Sequence, residues 1–94
     1  MILVDGAIWH ARGRQWAHLV SDTSFDELHA FAARVGLPRR AFHRDHYDLP
    51  AEWHEKAVQL GAAEVTSREL VRRLKAAGLR RRKRGQLAGE VEPG

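Results

Sequence analysis

The sequence predicts a single small α/β domain in which a mixed, partly parallel sheet of about four strands is covered by three helices. Short apolar runs alternate with segments of helical spacing in the order β-β-α-β-α-β-α, and short connections join them. The helical crossovers between successive strands predict that some strands run parallel. An apolar content of 44% in 94 residues suffices for one compact core and leaves little for a second.

The first half of the chain contains two predicted strands and one helix. Residues 2–4 and 16–20 are apolar runs, separated by glycines and polar residues, and each predicts a strand. The helix begins with a capping box formed by Ser24 and Glu27, and its apolar residues recur at helical spacing. Gly36 suits the left-handed residue that ends a helix, so the first helix is predicted to stop there.

The second half repeats the alternation of strand and helix. Its predicted elements, in chain order, are a strand in residues 42–47, a helix from Pro50 to Gly61, a short strand in residues 63–65, and a third helix that starts with the capping box of residues 66–69 and ends at Gly78. Residues 86–94 are poor in large apolar side chains and are predicted to fray.

Charge is unevenly distributed along the chain. Residues 1–69 hold eight basic and ten acidic residues, a net charge of −2, whereas residues 70–94 hold eight and two, a net charge of +6. We therefore predict one domain over residues 1–79 and a basic, flexible tail over residues 80–94. A polyanionic partner is expected at this tail and not across the whole fold.

Composition excludes several classes of protein. The sequence has no cysteine, so disulfides and thiolate metal sites are excluded, and any metal would be held by His, Asp or Glu. No apolar run approaches the roughly 20 residues that span a bilayer, and the N-terminus lacks the features of a signal peptide. These features predict a cytoplasmic protein without a membrane partner and leave its oligomeric state open.

Residues 44–48 combine a histidine, a phenol and two carboxylates within a predicted strand. Because the side chains of a strand alternate between its faces, His46 and Asp48 are expected on one face. Asp45 and Tyr47 are then expected on the other. Polar groups at a strand end are typical of sites in α/β folds, so this segment is the first candidate for a functional site.

Two other elements supply polar side chains that can join this segment. His18 lies on the second strand, which leads into Asp22, and His29 lies beside the apolar stripe of the first helix. The predicted functional cluster therefore consists of His18, Asp22, His29, His46, Tyr47 and Asp48.

Three interpretations of this cluster are open. His18, His46 and Asp48 could bind a divalent metal, Zn or Mn, that activates water as a nucleophile. Without metal, a histidine oriented by an aspartate could act as general base, with Tyr47 as hydrogen-bond donor to the substrate. In the third interpretation these side chains only satisfy backbone groups and cap a helix. No HExxH, GxSxG or Gly-rich phosphate loop selects one chemistry.

Several basic and aromatic residues indicate an anionic ligand. Trp16, close to Arg12 and Arg14, could stack on a base or border a phosphate site, although such a tryptophan more often fills a core. Ser67 and Arg68 stand at the predicted start of the third helix, where backbone N–H groups favour a phosphate.

The basic run after Gly78 indicates nucleic acid as a partner. It consists of Arg80, Arg81, Arg82, Lys83 and Arg84. Such a run contacts phosphates without reading sequence, and it can equally be a solvated tail. The remaining histidines, His10, His43 and His54, are predicted to be solvated surface residues.

Several separated segments resemble one known family. They are Trp-Ala-His-Leu-Val-Ser-Asp at residues 16–22, Asp-Glu-Leu-His-Ala-Phe-Ala at 26–32, Leu-Pro-Arg-Arg-Ala-Phe at 37–42, Asp-His-Tyr-Asp at 45–48 and Ser-Arg-Glu-Leu-Val-Arg-Arg-Leu at 67–74. From Met1 to about Arg84 the chain resembles the small actinobacterial and phage proteins of the DUF4031 type, a domain of unknown function. The resemblance implies no activity. It implies recurring motif positions at Asp5, Trp16, His18, Ser21, Asp22, Glu27, His29, His46, Tyr47, Asp48, Ser67 and Arg68.

These patterns favour a phosphate- or nucleotide-directed protein that hydrolyses or binds its ligand through the His/Asp/Tyr cluster. The alternative is a nucleic-acid-binding accessory module that acts through its basic C-terminus and in which the cluster is structural. A protein–protein adaptor is a third class, which a large exposed apolar patch would indicate.

Overall fold

The computed structural model describes residues 1–6 and 9–81. The elements within these residues are β1 (Ile2–Val4), β2 (Trp9–Ala11), β3 (Arg14–Ser21), α1 (Phe25–Val35), β4 (Phe42–His43), β5 (His46–Pro50), α2 (His54–Gln59), β6 (Ala63–Glu64) and α3 (Ser67–Ala76), with 3-10 turns at Arg39–Ala41 and Ala51–Trp53. The predicted α/β class with three helices is confirmed. No helix in this part of the chain is long and apolar enough to cross a membrane.

The strands form one mixed sheet in the order β4-β5-β3-β1-β6. β1 and β6 run parallel, whereas β3 pairs antiparallel with β1, β2 and β5. The predicted partly parallel sheet is therefore confirmed, but its parallel part is one short pair. β2 was not predicted, because its three residues carry no periodic signal and form a strand only by pairing with β3.

The segment predicted as one strand over residues 42–47 is a tight hairpin. β4 ends at His43, Arg44 adopts a left-handed φ of 54°, and β5 begins at His46. His43 and His46 are therefore cross-strand partners and share a face, contrary to the alternation expected for a single strand. Asp45 lies in the turn and not in a strand. Strand alternation therefore does not place its side chain on the face opposite His46.

Local signals place the first and third helices correctly. The Ser24 hydroxyl accepts a hydrogen bond from the Glu27 N–H at 3.0 Å, and Gly36 ends α1 with a φ of 106°. The Thr66 hydroxyl caps α3 in the same way, accepting from the Glu69 N–H at 3.1 Å. The predicted second helix starts later than expected, because Pro50 still belongs to β5 and a 3-10 turn precedes α2.

The two faces of the sheet are covered unequally. α1 and α2 bury one face in the main core, which includes Leu19, Leu28 and Tyr47. On the other face α3 contributes Leu70 and Leu74, which pack with Leu3 and Val20, at the end of β3 farthest from the β2–β3 turn. Each fully buried leucine contributes about 1.5–3 kcal/mol to folding. The rest of this second face, where His18, His46 and Asp48 project, is left open beside α3.

Candidate functional site

A cleft of about 280 Å³ lies between α3 and the open part of the sheet. Val20, Leu70, Val71 and Leu74 form its apolar wall. Its polar lining consists of Asp5, His18, Arg44, Asp45, His46, Ser67 and Arg80. We call it the histidine cleft. It joins residues that are far apart in sequence, because β1, β3, the β4–β5 turn and α3 meet at this point.

The first pair in the histidine cleft is Asp5 with His18. Asp5 follows β1 and is fully buried, and one of its oxygens, Oδ2, lies 2.8 Å from Nδ1 of His18. The other oxygen accepts the backbone N–H of His18 at 2.7 Å. The side chain of His18 keeps one third of its surface exposed and lines the cleft.

Three further groups fix Asp5 in place. The Ser67 hydroxyl donates to Oδ2 at 2.8 Å, and Nε2 of His54 lies 3.0 Å from the Asp5 carbonyl oxygen. Burial alone would raise the pKa of Asp5, but the hydrogen bonds from His18 and Ser67 outweigh it and hold the pKa below its ordinary value. An ionised Asp5 accepts the Nδ1 proton of His18, which leaves Nε2 as the ring nitrogen that can act as a base.

The second pair is Asp45 with His46. Asp45 is buried, and its Oδ1 lies 2.8 Å from Nδ1 of His46. Its Oδ2 accepts the backbone N–H of Arg81 at 2.8 Å and lies 3.5 Å from the Arg80 guanidinium. On the far side of the ring, Nε2 of His46 is 3.2 Å from Oδ1 of Asp48. His46 is thus held between two carboxylates.

This arrangement makes His46 a stable cation. Burial by itself would lower the pKa of His46, but the carboxylates of Asp45 and Asp48 outweigh it and raise the pKa to about 9. The same contacts lower the pKa of both aspartates against the opposing effect of burial. At neutral pH the imidazolium therefore carries a proton on each ring nitrogen.

The two histidines lie side by side. Their ring centroids are 5.2 Å apart in an edge-to-face arrangement, and Trp9 stacks on His18 with centroids 5.3 Å apart. Cross-strand pairing of His18 with Asp48 sets this arrangement. The cleft therefore places His18, whose Nδ1 is held by Asp5, next to the imidazolium of His46, and two adjacent histidines can serve as the partners of acid–base catalysis.

Two members of the predicted cluster lie on the opposite face of the sheet. Tyr47 is buried in the main core, and its hydroxyl oxygen lies 2.8 Å from Nδ1 of His29 on α1. Burial raises the pKa of Tyr47, whereas burial and then the charge of Arg39 lower the pKa of His29. The prediction that His29 and Tyr47 gather with His46 is wrong, because strand alternation turns Tyr47 towards α1.

Asp22, Trp16 and Arg68 also lie outside the histidine cleft. Asp22 pairs with the N-terminal ammonium group at 3.0 Å and with Arg73 at 2.9 Å, at the far end of β3. Trp16 is partly buried and donates its indole N–H to the Ala11 carbonyl oxygen at 2.9 Å. Arg68 is exposed and is not part of the cleft lining, although its neighbour Ser67 is.

The basic C-terminal segment begins at the cleft. Arg80 lines it, and Arg81 donates its backbone N–H to Asp45, while the Arg81 guanidinium lies over the Phe25 ring at 5.5 Å from its centroid. The predicted nucleic-acid residues Arg82, Lys83 and Arg84 lie outside the described residues.

The metal prediction for His18, His46 and Asp48 is not confirmed. Among the residues that the structure describes, no group of three or more His, Asp or Glu side chains is arranged to hold a metal ion. Nδ1 of each histidine is bonded to an aspartate, and a protonated His46 has no lone pair to donate. Binding of Zn or Mn through these residues stays a prediction.

Three residues around the cleft were not placed by sequence reasoning. Asp5 is a polar residue at the end of an apolar strand. The same feature made Asp48 a candidate, so the same rule could have identified Asp5. Asp45 was assigned to the wrong face because no glycine marks the turn at residues 44–45. His54 was predicted to be solvated, but its side chain is only 20% exposed and contacts the backbone of Asp5.

Comparison with known proteins adds a family but no activity. A family model described as a protein of unknown function (DUF4031) matches residues 2–77, which include β1 to α3. No curated protein and no solved structure matches the chain.

Proposed function

Since the chain belongs to the DUF4031 family, whose function is unknown, we propose a function from the site alone: the histidine cleft binds a phosphate ester and hydrolyses it by acid–base catalysis. The observation that carries this proposal is the pair of adjacent rings, 5.2 Å apart, each with Nδ1 fixed by a buried aspartate. Of two adjacent histidines, one can take a proton from one atom while the other gives a proton to another.

The charges of the cleft favour an anionic ligand. The oxygens of Asp5 and Asp45 already accept hydrogen bonds from His18, Ser67, His46 and Arg81. The groups with donor capacity left are the guanidiniums of Arg44 and Arg80, which suit a phosphate, and the Nε2–H of His46, which forms an ion pair with Asp48 but no aligned hydrogen bond. The volume of about 280 Å³ suits a phosphate with one attached group.

The proposed reaction uses both histidines. Nε2 of His18 removes a proton from a water molecule, whose oxygen attacks phosphorus and forms the new P–O bond. The P–O bond to the leaving group breaks, and Nε2 of His46 gives its proton to the leaving oxygen. Proton exchange with solvent then restores both rings. Until that transfer, the His46 cation stabilises the charge that develops on the phosphoryl oxygens.

Turnover of bis(p-nitrophenyl) phosphate tests this proposal. We expect p-nitrophenol release by the wild-type protein in the presence of EDTA, and a decrease in kcat of about 10²-fold for His46→Gln, because the variant loses the cation that stabilises the charge developing on the phosphoryl oxygens. His10→Gln is the matched control, because His10 is exposed on β2 and outside the cleft. The assay is run below the melting temperature of each variant.

Two outcomes would overturn the proposal. Equal turnover by wild type and His46→Gln would remove the imidazolium from the mechanism. Turnover that EDTA abolishes and Zn or Mn restores would instead support the metal chemistry predicted from the sequence.

A second candidate is nucleic-acid binding through the basic C-terminal segment. The observation that favours it is the position of Arg80 in the lining of the histidine cleft, because it brings the start of this segment to the proposed site. The full-length triple variant Arg82→Ala, Lys83→Ala, Arg84→Ala should bind a fluorescent single-stranded oligothymidylate more weakly. Its plot of log K against log salt should be flatter by about 0.7 for each phosphate that is no longer neutralised. An unchanged slope would remove these three residues from the interface.

A further inference from the structure

A second depression lies next to the histidine cleft on the same face of the sheet. Its volume is about 290 Å³, and its polar lining consists of Arg12, Trp16, Arg40, His43 and Asp48. It is formed where the β2–β3 turn approaches the 3-10 turn at Arg39–Ala41. Neither the proposed reaction nor the main core uses the two arginines.

The two arginines are not neutralised by acidic side chains. Among the described residues, neither Arg12 nor Arg40 forms a salt bridge, whereas Arg14 next to them pairs with Glu52. The Arg12 guanidinium lies 4.6 Å from the centre of the Trp16 ring, which fixes the direction of its N–H groups. Two exposed guanidiniums at one depression are a recurring arrangement for phosphate.

The single carboxylate of the depression is already matched by a cation. Asp48 lies 3.2 Å from the His46 imidazolium and 4.0 Å from Nε2 of His43. Its negative charge is therefore compensated from the cleft side, and the charge of the depression is set by Arg12 and Arg40. The depression is thus an anion-binding environment and not a cation site.

The depression and the histidine cleft are adjacent. Asp48 and His43 line the depression, and both contact His46, which lines the cleft; the rings of His43 and His46 are stacked with centroids 6.2 Å apart. A ligand that occupies both must therefore carry two anionic groups joined by a short linker that passes over His43 and Asp48.

We propose that the depression is a second phosphate subsite and that the substrate of the histidine cleft is a single strand of nucleic acid. One phosphate lies in the histidine cleft beside His18 and His46, and the neighbouring phosphate is bound by Arg12 and Arg40. This inference rests on the proposed function for the reacting phosphate. The Trp16 ring is covered by Arg12 on one side and stacked with Trp9 at 5.9 Å, so the subsite contacts the backbone and does not read bases.

Salt-dependent binding tests the subsite without any need for turnover. Binding of a fluorescein-labelled single-stranded oligothymidylate is followed by anisotropy for the full-length wild type and for Arg12→Ala/Arg40→Ala. The double variant should bind more weakly, and its plot of log K against log salt should be flatter by about 0.7, the contribution of the one phosphate that the two arginines neutralise on a single strand. Arg12→Lys/Arg40→Lys keeps the charges and should retain most of the slope.

Arg34→Ala is the matched control. Arg34 is an exposed arginine that also lies over an aromatic ring, that of Phe31 at 5.7 Å, but it is on α1, which covers the opposite face of the sheet. Its removal should leave the slope unchanged. A slope that falls for Arg34→Ala by as much per charge removed as for the double variant would show only general electrostatic attraction and would overturn the subsite.

The failure of the subsite can be told apart from the failure of the proposed reaction. If bis(p-nitrophenyl) phosphate is not hydrolysed but the double variant flattens the salt plot, the subsite stands and the reaction does not. If the salt plot of the double variant equals that of wild type, the subsite is overturned whatever the turnover. Where both proposals hold, the double variant loses its selectivity for the oligonucleotide over the small diester.

Discussion

Replacement of Asp5 by asparagine is expected to lower kcat for phosphodiester hydrolysis by about 10³- to 10⁴-fold, the loss that follows when an aspartate that orients a catalytic histidine becomes an amide. The asparagine side chain would keep the acceptor for the His18 backbone N–H, but its NH2 group would face Nδ1 of His18 and the Ser67 hydroxyl. Nδ1 must then accept a hydrogen bond, so the neutral ring carries its proton on Nε2. In that tautomer His18 cannot take a proton from water.

This prediction has a readout that a purely structural role would not move. Nitrogen chemical shifts of His18 should report protonation at Nδ1 in wild type and at Nε2 in Asp5→Asn. Asp26→Asn is the control, because Asp26 is exposed in the first turn of α1 and far from the cleft face. If Asp5→Asn keeps wild-type turnover, or switches the tautomer without losing turnover, Asp5 is not the positioning residue of a general base.

Local signals in the sequence were enough to predict two of the three helices, α1 and α3. The capping boxes at Ser24 and Thr66 and the glycine after α1 act within a few residues of the chain, so their effect can be read without the fold. The same holds for the shared face of His46 and Asp48, which follows from the alternation of a strand. These parts of the prediction depend on no contact between distant residues.

The residues that make the site chemically competent depend on distant contacts. Asp5 meets Ser67 across 62 positions of sequence, and Asp45 meets Arg81 across 36. The register that pairs His18 with Asp48 is fixed by the packing of β3 on β5, which no single strand specifies. The sequence pattern therefore indicated His18 and His46, but not the aspartates that bind their Nδ1 atoms, Asp5 and Asp45.

The misplacement of Asp45 originates in the hairpin turn. A single extended strand through residues 42–47 would put Asp45 on the face of Tyr47, opposite His46. The left-handed φ of 54° at Arg44 turns the chain, so that Asp45 bonds to His46 while Tyr47 faces α1. A non-glycine residue rarely adopts this conformation, and for that reason no local signal in the sequence indicates the turn.

The largest effect on stability is expected for Asp45→Ala. This substitution removes the acceptor of the His46 ring, the Arg81 N–H and the Arg80 guanidinium while leaving the His46 charge half buried. Breaking a buried ion pair on one side costs about 3 kcal/mol or more. For a domain of this size a loss of that order lowers Tm by roughly 12–24 °C. Thermal unfolding at neutral pH measures it.

The pH dependence of stability separates the ion pair from simple loss of packing. The pKa of His46 is raised from 6.5 to about 9 in the folded protein. Its contribution to the free energy of unfolding is therefore fully present below pH 6.5 and is lost as pH rises through about 9. The groups that face His46 are Asp45, Asp48, His18 and His43. The wild type should therefore lose on the order of 3 kcal/mol over this range from His46.

Asp45→Ala should lose less stability over the same alkaline range, because only Asp48 then holds the proton on His46. Asp26→Ala, an exposed carboxylate at a helix N-terminus, should cost less than about 1 kcal/mol and should keep the wild-type alkaline loss. A parallel pair of curves for wild type and Asp45→Ala between these pH values would mean that Asp45 does not hold the His46 proton. If neither protein lost stability over this range, His46 would be neutral at pH 7, and the proposed reaction would lack its acid.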